Sequence, residues 1–512
     1  MFRALAPSQV SSWLPAGLSF SNAVRIAAPA VAVGPPFAAY LRTLAPTVYN
    51  IDSAEFATAA ATVGIPHPPG YPLYVLIAHA FTWLPLGDVG YRVNLMSAVF
   101  GGVALLLTYL IVARLTGSRL SGALAAWILG FSYSFWANSV VAEVYTLDAA
   151  LVGAMILCFL RWRDHGRTAD LLAGFAFFGL SCANRTTNLL AVPAVVFFVA
   201  PAFIREPRRL LAASTAVLPG IALYGLLPLR SLMDAGYRWG TTYSSDGAPA
   251  PINLADPSEL WRYVSGHVFR PLAEIYDWHD RLREAAAFLS QAWGSLLGGG
   301  FILALAGAWW LARRRPRAGV FLLLVALPQT LFFINYAAVD KETMFLNTYF
   351  IIAICAGCGL AGAMEFLREQ RFPGGAFVVP SASFMLVLLL FWVNFPLVDV
   401  SGDYRARTRG EALFATADDR SVVIGGWTDI APLEYLQTVE HQRPDLALVM
   451  SWSVSGQALH DLVLYNVQHG HRVYAMRRDL TLWNVELTDF EFVAEKDWYE
   501  LRLRSGNVKG DQ

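Results

Sequence analysis

The chain has 512 residues, and its 38 basic and 38 acidic side chains give a formal net charge of +0. Charged residues make up 15% of the sequence and hydrophobic residues 56%, and the mean hydropathy is +0.45. These values exclude a single soluble globule, a disordered chain and a nucleic-acid-binding protein held by bulk positive charge, and they leave a membrane protein.

Long apolar segments predict a polytopic α-helical membrane protein. A helix needs about 20 apolar residues to cross a bilayer, because in lipid each backbone polar group must be bonded within its own segment. The segment 71–86 is apolar but short, so it predicts a re-entrant or interfacial helix. Eleven longer segments are found, at 24–45, 92–113, 120–137, 143–160, 169–183, 188–203, 210–229, 295–312, 318–336, 346–367 and 375–396.

The charge of the connecting loops predicts the orientation. Every second loop is rich in arginine, whereas the short loops between them carry only Arg185 and Lys341. Because basic residues collect in cytoplasmic loops, we expect a cytoplasmic N-terminal segment and an exterior C-terminus. The predicted parts are a segment 1–23, a membrane domain 24–396 with exterior loops 46–90 and 231–294, and an exterior domain 397–512.

The tail 397–512 predicts a small α/β domain. SVVIGG (421–426), DLALVM (445–450) and RVYAM (472–476) indicate buried strands, and the stretches between them have helical spacing. This order favours a small parallel sheet, to which EFVAE and WYELRLR add a β-hairpin. No GxGxxG follows the first strand, so we expect a structural or acceptor-binding domain and not a catalytic one.

The loop 231–294 predicts short helices near 257–265 and 273–293. The second is amphipathic, and two interpretations stay open. It either lies flat on the outer leaflet or covers the helix bundle.

Two carboxylates lie just beyond the first predicted span. Asp52 and Glu55 are three residues apart, so they share one face if the segment is helical. An ionisable group at the membrane boundary costs free energy unless it has a partner, which favours a functional role. The alternative is structural, with Asp52 beginning a helix and Glu55 completing a capping box.

His67 lies in a proline-rich turn, 66–70, that fixes the backbone. Such a turn can present a ring nitrogen to a phosphate or an acceptor hydroxyl, and the alternative is a histidine on a surface turn. The neighbouring Tyr71 suits a sugar or lipid-headgroup site as well as an interfacial aromatic belt.

Further polar groups lie at the predicted exterior ends of later spans. Arg185 is the most informative, because an arginine at an exterior end runs against the positive-inside trend and suits an anionic phosphate. The alternative is a side chain that extends to lipid headgroups. The other candidates at these ends are Glu143, Tyr145, Arg230, Asp340 and Tyr349.

Common catalytic and metal motifs are missing from the sequence. Cys355 and Cys358 form a CxxC pair, but without a second pair or a histidine cluster they predict core thiols rather than zinc ligands. No Walker A, GxSxG or HExxH motif is present, which disfavours a cytoplasmic nucleotide-driven enzyme or pump. We therefore expect any chemistry at the exterior face, on a substrate that arrives through the lipid.

Several blocks together resemble a known family. They are TLAPTVYNIDSAEFATAAATVGIPHPPGYPLY, FWANSVVAEVYTL, PLR…WG…YVSGHVFR and INYAAVDKETMFLNTYF, in this order. The blocks resemble a membrane glycosyltransferase family of the GT-C superfamily, which includes bacterial homologues and the animal transmembrane protein O-mannosyltransferase acting on plexin-type receptors. The resemblance covers about 40–400, and WTDIAPLEYLQ and HQRPD resemble the C-terminal region of bacterial members.

The resemblance implies an inverting transfer of a mannose-like sugar from a polyprenyl-phosphate donor to an acceptor hydroxyl at the exterior face. It implies Asp52 as general base, with Glu55 as the second catalytic carboxylate. It implies no cofactor, although a divalent metal ion is compatible with these two carboxylates. The implied donor-site residues are His67, Tyr71, Glu143, Tyr145, Arg185, Arg230, Asp340 and Tyr349.

The expected partners are the lipid-linked donor, the bilayer and a protein acceptor, and no nucleic acid. One alternative keeps the chemistry and changes the acceptor to a lipid or cell-wall glycan. Another is a lipid or polysaccharide transporter, which predicts mid-span charges and an inverted repeat that the sequence does not show. A third is an anchoring protein whose tail is the working part.

Overall fold

The computed structural model describes residues 20–504, except for 234–235, 244–248, 339, 373, 452–453, 455, 478–486, 488 and 496. Residues 1–19 of the predicted N-terminal segment 1–23 therefore lie outside the described residues.

Each predicted span coincides with a helix or a helix pair. Within the described ranges, seven helices are long and apolar enough to cross a membrane. An eighth span results if Gly299–Arg314 is joined to Trp278–Ser295, from which it is bent by 106°. The chain is thus a multi-pass helical membrane protein, while the count of eleven stays a prediction. The helices are Phe20–Thr43, Val89–Thr116, Arg119–Gly130 with Tyr133–Ala137, Tyr145–His165, Thr168–Asn184, Thr186–Phe203, Pro207–Leu232, Gly299–Arg314, Pro316–Ile334, Leu346–Glu369 and Gly375–Val398.

Small residues allow two of these helices to pack very closely. A Cβ atom placed on Gly307 would lie 1.7 Å from the carbonyl oxygen of Cys355 on the neighbouring helix. Close backbone approach through small residues is the usual way in which helices associate in lipid. Cys355 and Cys358 are both free thiols, and Cys358 is buried.

The first predicted loop forms two helices, Asp52–Thr62 (the Asp52 helix) and Pro72–Phe81. The large loop contains Pro257–Val264, Pro271–Glu274 and Trp278–Ser295, with a two-stranded ribbon of Thr242–Tyr243 and Pro249–Ala250. A further short helix, Lys341–Met344, follows the ninth predicted span.

The amphipathic helix of the large loop begins at Trp278 rather than near residue 273. Asp277 is the N-cap of this helix, because its carboxylate accepts a hydrogen bond from the Asp280 N–H at 2.7 Å. The helix packs Phe288 against Phe345, with ring centroids 4.6 Å apart, and it exposes Trp278 and Trp293 on its other face. The helix therefore covers the bundle with one face, and its exposed apolar stripe suits the membrane interface.

The C-terminal sheet agrees with the predicted strands. Val422–Gly425 pairs in parallel with Ala447–Met450 on one side and Val473–Ala475 on the other. The antiparallel hairpin of Phe490–Ala494 and Tyr499–Leu503 extends the sheet from Val473–Ala475. Helices Arg405–Thr416, Trp427–Thr438 (the Trp427 helix) and Gly456–Gln468 complete this part.

Candidate active site

Asp52 is the first residue of the Asp52 helix, and it does not cap it. The N-cap is Ile51, whose φ of 52° is unusual for a β-branched residue, and no side-chain capping bond is formed there. Such strained backbone persists only where surrounding contacts hold it, and it is typical of active sites. The capping-box alternative for Asp52 and Glu55 is therefore wrong.

Glu55, His67 and Tyr71 form one hydrogen-bonded chain (the Glu55 chain). Glu55 is fully buried, and its Oε1 accepts a hydrogen bond from the His67 backbone N–H at 2.5 Å and lies 3.1 Å from His67 Nδ1. On the other side of the ring, His67 Nε2 lies 2.9 Å from the Tyr71 hydroxyl. His67 is only 6% exposed, so the surface-turn alternative is wrong.

The electrostatics of this cluster set the protonation of Asp52 and His67. Burial raises the pKa of Asp52 to about 7, with His67 lowering it and the Asp340 and Glu55 carboxylates raising it. For His67, burial lowers the pKa, but the carboxylates of Glu55 and Asp52 raise it by more, so the net shift is upward. Asp52 thus has the pKa of a base that titrates near neutral pH.

Arg185 lies at the centre of a buried polar network (the Asp148 network). Its Nη1 lies 3.3 Å from Asp148 Oδ2, and its guanidinium stacks 4.6 Å from the centroid of the Tyr145 ring. Asp148 also accepts hydrogen bonds from Asn188 at 2.6 Å and from Asn347 at 2.8 Å. Arg185 is 6% exposed, so a side chain extended to lipid headgroups is wrong.

The sequence did not assign roles to the polar partners in this network. Asp148, Asn188 and Asn347 come from three different helices, and Gln329 donates to Asn188 from a fourth. They lie far apart in the chain, so sequence spacing alone does not show that they meet. The available signal was their polarity itself, since polar groups within membrane helices are costly and usually functional.

Tyr71 connects the two clusters. Its pKa is raised well above the ordinary value, first by burial, with Tyr145, Asp52 and Glu55 adding to the rise and Arg185 opposing it. Asp340 is also close, since its charge raises the pKa of Asp52. The structure therefore brings together most of the predicted residues, namely Asp52, Glu55, His67, Tyr71, Glu143, Tyr145, Arg185 and Asp340.

Two predicted residues have other surroundings. Arg230 donates from Nε and Nη2 to the carbonyl oxygens of Val63 and Thr62, at 2.8 and 2.9 Å, and so lies at the C-terminal end of the Asp52 helix. A cation suits the dipole there. The centroid of the Tyr349 ring lies 6.3 Å from that of Phe288. Their donor-site roles stay predictions.

Aromatic rings from the large loop and the C-terminal domain enclose His67. The ring of Trp427 meets His67 edge-on at 4.8 Å, and Trp239 and Phe269 lie at 6.4 and 6.2 Å. Trp239 and Phe269 lie in the WG and YVSGHVFR blocks of the large loop. Trp427 shows that the tail, expected to be structural or acceptor-binding and not catalytic, contacts the predicted site directly.

Backbone contacts fix this enclosure. Ile65 N–H donates to the carbonyl oxygen of Tyr237, and Trp239 N–H donates back to Ile65, both at 2.9 Å. The hydroxyl of Tyr237 donates to Glu434 on the Trp427 helix at 3.2 Å. Burial raises the pKa of Glu434 to about 8, and the nearby charge of Glu55 adds to the rise.

Three of these side chains offer ligands of the kind that divalent cations prefer. One ligand atom each from Asp52, Glu55 and His67 can be chosen so that all lie within 4.8 Å of one another. Carboxylate oxygens and an imidazole nitrogen together suit several divalent metals. A cation would compete with the bond between Glu55 and His67.

The membrane domain resembles known proteins. Residues 52–206 match the family described as "Protein O-mannosyl-transferase TMEM260 N-terminal domain". Over 445 residues the chain is 27% identical to the protein O-mannosyl-transferase TMEM260 of Mus musculus, and this match covers 80% of the chain. It spans 61% of the mouse protein, less than two thirds of that relative.

Solved structures share the fold. ArnT from Cupriavidus metallidurans, bound to undecaprenyl phosphate, superposes with a TM-score of 0.55 at 14% identity, over 96% of this chain and 100% of ArnT. The archaeal oligosaccharyltransferase AglB from Archaeoglobus fulgidus, in complex with an inhibitory peptide and a dolichol-phosphate, superposes with a TM-score of 0.54 at 10% identity, over 95% of this chain and 75% of AglB. These likenesses confirm the predicted GT-C-type membrane fold, and in sequence the chain is similar to the TMEM260 protein O-mannosyl-transferases.

Proposed function

We propose that the chain is a membrane glycosyltransferase that moves a mannose-like sugar from a polyprenyl-phosphate donor to a hydroxyl group of a protein. The family match and the name of the mouse relative support the reaction and the sugar. The lipid phosphates bound to ArnT and AglB, and the peptide bound to AglB, support a lipid-linked donor and a protein acceptor. In this proposal the site faces the exterior, with the N-terminus in the cytoplasm.

One observation carries the proposal. Asp52, which keeps part of its surface exposed, lies beside the buried Glu55 chain, and the Tyr71 end of that chain lies close to Arg185 and Tyr145. A base therefore lies near a group of cationic and hydroxyl donors. This is the arrangement that a displacement with an anionic leaving group requires.

The proposed step uses these groups in defined roles. Ionised Asp52 accepts the proton of the acceptor hydroxyl as its oxygen attacks the anomeric carbon. The bond from that carbon to the lipid phosphate breaks, and the phosphate leaves with the bonding electrons. Attack from the side opposite the leaving group inverts the configuration. Arg185 and the Tyr71 hydroxyl stabilise the charge that develops on the phosphate.

A divalent cation held by Asp52, Glu55 and His67 would supply further stabilisation of negative charge when bound. Glu55 and His67 already satisfy one another through hydrogen bonds, however. We therefore expect transfer by the purified protein to continue after treatment with EDTA. Loss of transfer in EDTA that Mg²⁺ or Mn²⁺ restores would contradict this expectation and assign the three residues to a metal site.

The decisive experiment is a transfer assay with the purified full-length chain, a polyprenyl-phosphate mannose donor and a serine- or threonine-containing peptide. Asp52→Asn should lower kcat by about 10²–10⁴-fold, because it removes the general base while keeping the shape of the side chain. Asp419→Asn is the matched control, since Asp419 is 98% exposed in the C-terminal domain. Near-normal transfer by Asp52→Asn would reject the role of Asp52.

The same assay tests the function itself. Failure of the unchanged protein to transfer sugar to any hydroxyl-bearing peptide would reject protein O-glycosylation. Transfer to a lipid or cell-wall glycan in place of the peptide would keep the chemistry and change the acceptor.

A further inference from the structure

A cavity of about 220 Å³ lies beside the candidate active site, and none of its lining residues was among the predicted site residues. Tyr49 and Asn50 line it from the segment that precedes the Asp52 helix. Arg405, Arg409 and Asp429 line it from the C-terminal domain. The cavity is therefore formed between the two parts of the chain.

The cavity adjoins the site at two points. Asn50 lies two residues before Asp52, which corresponds to about 7 Å of chain at most. On the opposite wall, Thr428 follows Trp427, whose ring lies 4.8 Å from that of His67. The Asn50 wall of the cavity is thus at most about two residues of extended chain away from the proposed base.

The cavity is lined by two arginines and two aspartates, so its charges balance, but the arginines are the more exposed members. Its acids pair with arginines, Asp403 with Arg405 at 2.6 Å and Asp429 with Arg409 at 2.8 Å. The acid side chains are 11% and 0% exposed, whereas their arginine partners are 87% and 37% exposed. The accessible groups are therefore guanidiniums, whose planar N–H donors suit a carboxylate.

The buried acid holds this arrangement in place. Asp429 also forms an ion pair with Arg477, whose Nε lies 2.9 Å from Asp429 Oδ2. Two arginines therefore pair with this one carboxylate. The Arg409 Nη2 donates in addition to the carbonyl oxygen of Met476 at 3.2 Å. Arg409 is thus held by several contacts. Arg405 bonds Asp403 through Nε and Nη2, and its side chain is the more exposed of the two.

We propose that this cavity binds an acidic residue of the polypeptide acceptor, about two residues away from the serine or threonine that receives the sugar. The inference rests on the proposed function and deepens it by naming a sequence preference. The C-terminal domain then selects the acceptor, while Asp52 and Arg185 act on the donor and the hydroxyl.

Matched acceptor peptides test the preference. Two peptides that differ only by Glu or Gln two residues from the serine should differ about tenfold in KM, the size expected for one charge-assisted hydrogen bond, at similar kcat. Arg405→Glu should abolish this difference and favour a peptide with Lys at that position. Arg420→Glu, an exposed arginine of the same domain, is the control and should leave the preference unchanged. An unchanged preference in Arg405→Glu would overturn the proposal.

A binding measurement separates this proposal from the proposed function. Fluorescence anisotropy of the labelled peptides with Asp52→Asn protein measures peptide binding when no sugar is transferred. Weaker binding of the Gln peptide there, together with no transfer by the unchanged protein, would support the cavity and reject the function. Transfer at equal KM for both peptides would reject the cavity and keep the function. Thermal unfolding of Arg405→Glu confirms that the fold is kept.

Discussion

At the scale of single residues, two side chains of the same kind have different surroundings. Asp52 and Glu55 are both carboxylates and lie three residues apart in the chain. Glu55 is fully buried, accepts a hydrogen bond from the His67 backbone N–H and lies 3.1 Å from His67 Nδ1, and we propose that it positions the His67 ring. Asp52 has no such bond at the helix start and keeps an exposed surface, which leaves it available to a substrate.

The raised pKa of Asp52 predicts the pH profile of transfer. A base must be ionised, and burial raises the pKa of Asp52 to about 7. In EDTA, kcat should therefore fall as pH decreases through about 7 and level off above it, whereas an ordinary aspartate would keep its activity down to about pH 4. A profile of kcat against pH that stays flat from 8 to 5 would contradict this assignment.

Variants of the Arg185–Asp148 ion pair can separate an effect on folding from an effect on function. Arg185→Met should lower the free energy of unfolding by about 3–5 kcal/mol, because Asp148 is left as a buried charge without its cation. Adding Asp148→Asn removes that charge and should recover much of the loss. Thermal unfolding in detergent measures both effects.

Activity of the same double variant completes the test. If the guanidinium stabilises the leaving phosphate, the double variant should regain stability and still transfer poorly. A stable double variant with normal transfer would assign Arg185 to the fold alone. A double variant no more stable than Arg185→Met would contradict the proposed pairing.

At the scale of elements, close helix packing holds the membrane domain together. Gly307 faces the backbone of the helix Leu346–Glu369, which also supplies Asn347 to the Asp148 network. The contact that stabilises this helix pair therefore also positions part of the site.

Gly307→Ala should lower the thermal stability of the purified protein by about 1–3 kcal/mol, because the new methyl group would overlap the carbonyl of Cys355. Gly294→Ala is the matched control, since a Cβ there meets nothing within 4 Å. Equal melting temperatures for the two variants would contradict the close approach of these helices.

At the scale of the whole molecule, the C-terminal domain is part of the candidate site. The Tyr435 hydroxyl accepts a hydrogen bond from Gly90 N–H at 3.0 Å, Glu434 accepts one from Tyr237, and Trp427 packs on His67. These contacts all come from the Trp427 helix. They hold the domain against the first loop and the large loop together.

Trp427→Ala should lower kcat by about 2–10-fold, since removing one aromatic contact of about 0.5–1.5 kcal/mol loosens the His67 ring. Trp427→Phe keeps a ring at this position and should retain most of the activity. Kinetics of both variants with a saturating acceptor make the comparison. A normal kcat in Trp427→Ala would show that the domain merely adjoins the site.

The sequence alone determined the helical membrane architecture, the strands of the tail and most of the side chains that cluster at the site. It could do so because the length of an apolar segment and the composition of a strand are local signals. An ionisable residue near lipid also stands out in the sequence, because it is costly there. It also indicated Asp52, Glu55, His67 and Arg185 as candidates, although their structural alternatives stayed open.

Only the tertiary structure decided between those alternatives. Whether Glu55 caps a helix or holds His67, and whether Arg185 reaches lipid or pairs with Asp148, depends on contacts between distant segments. The position of Trp427 against His67 depends on how the tail docks, which no local pattern encodes. Partner choice for a buried polar group follows from three-dimensional packing, because burial makes an unpaired charge too costly to keep.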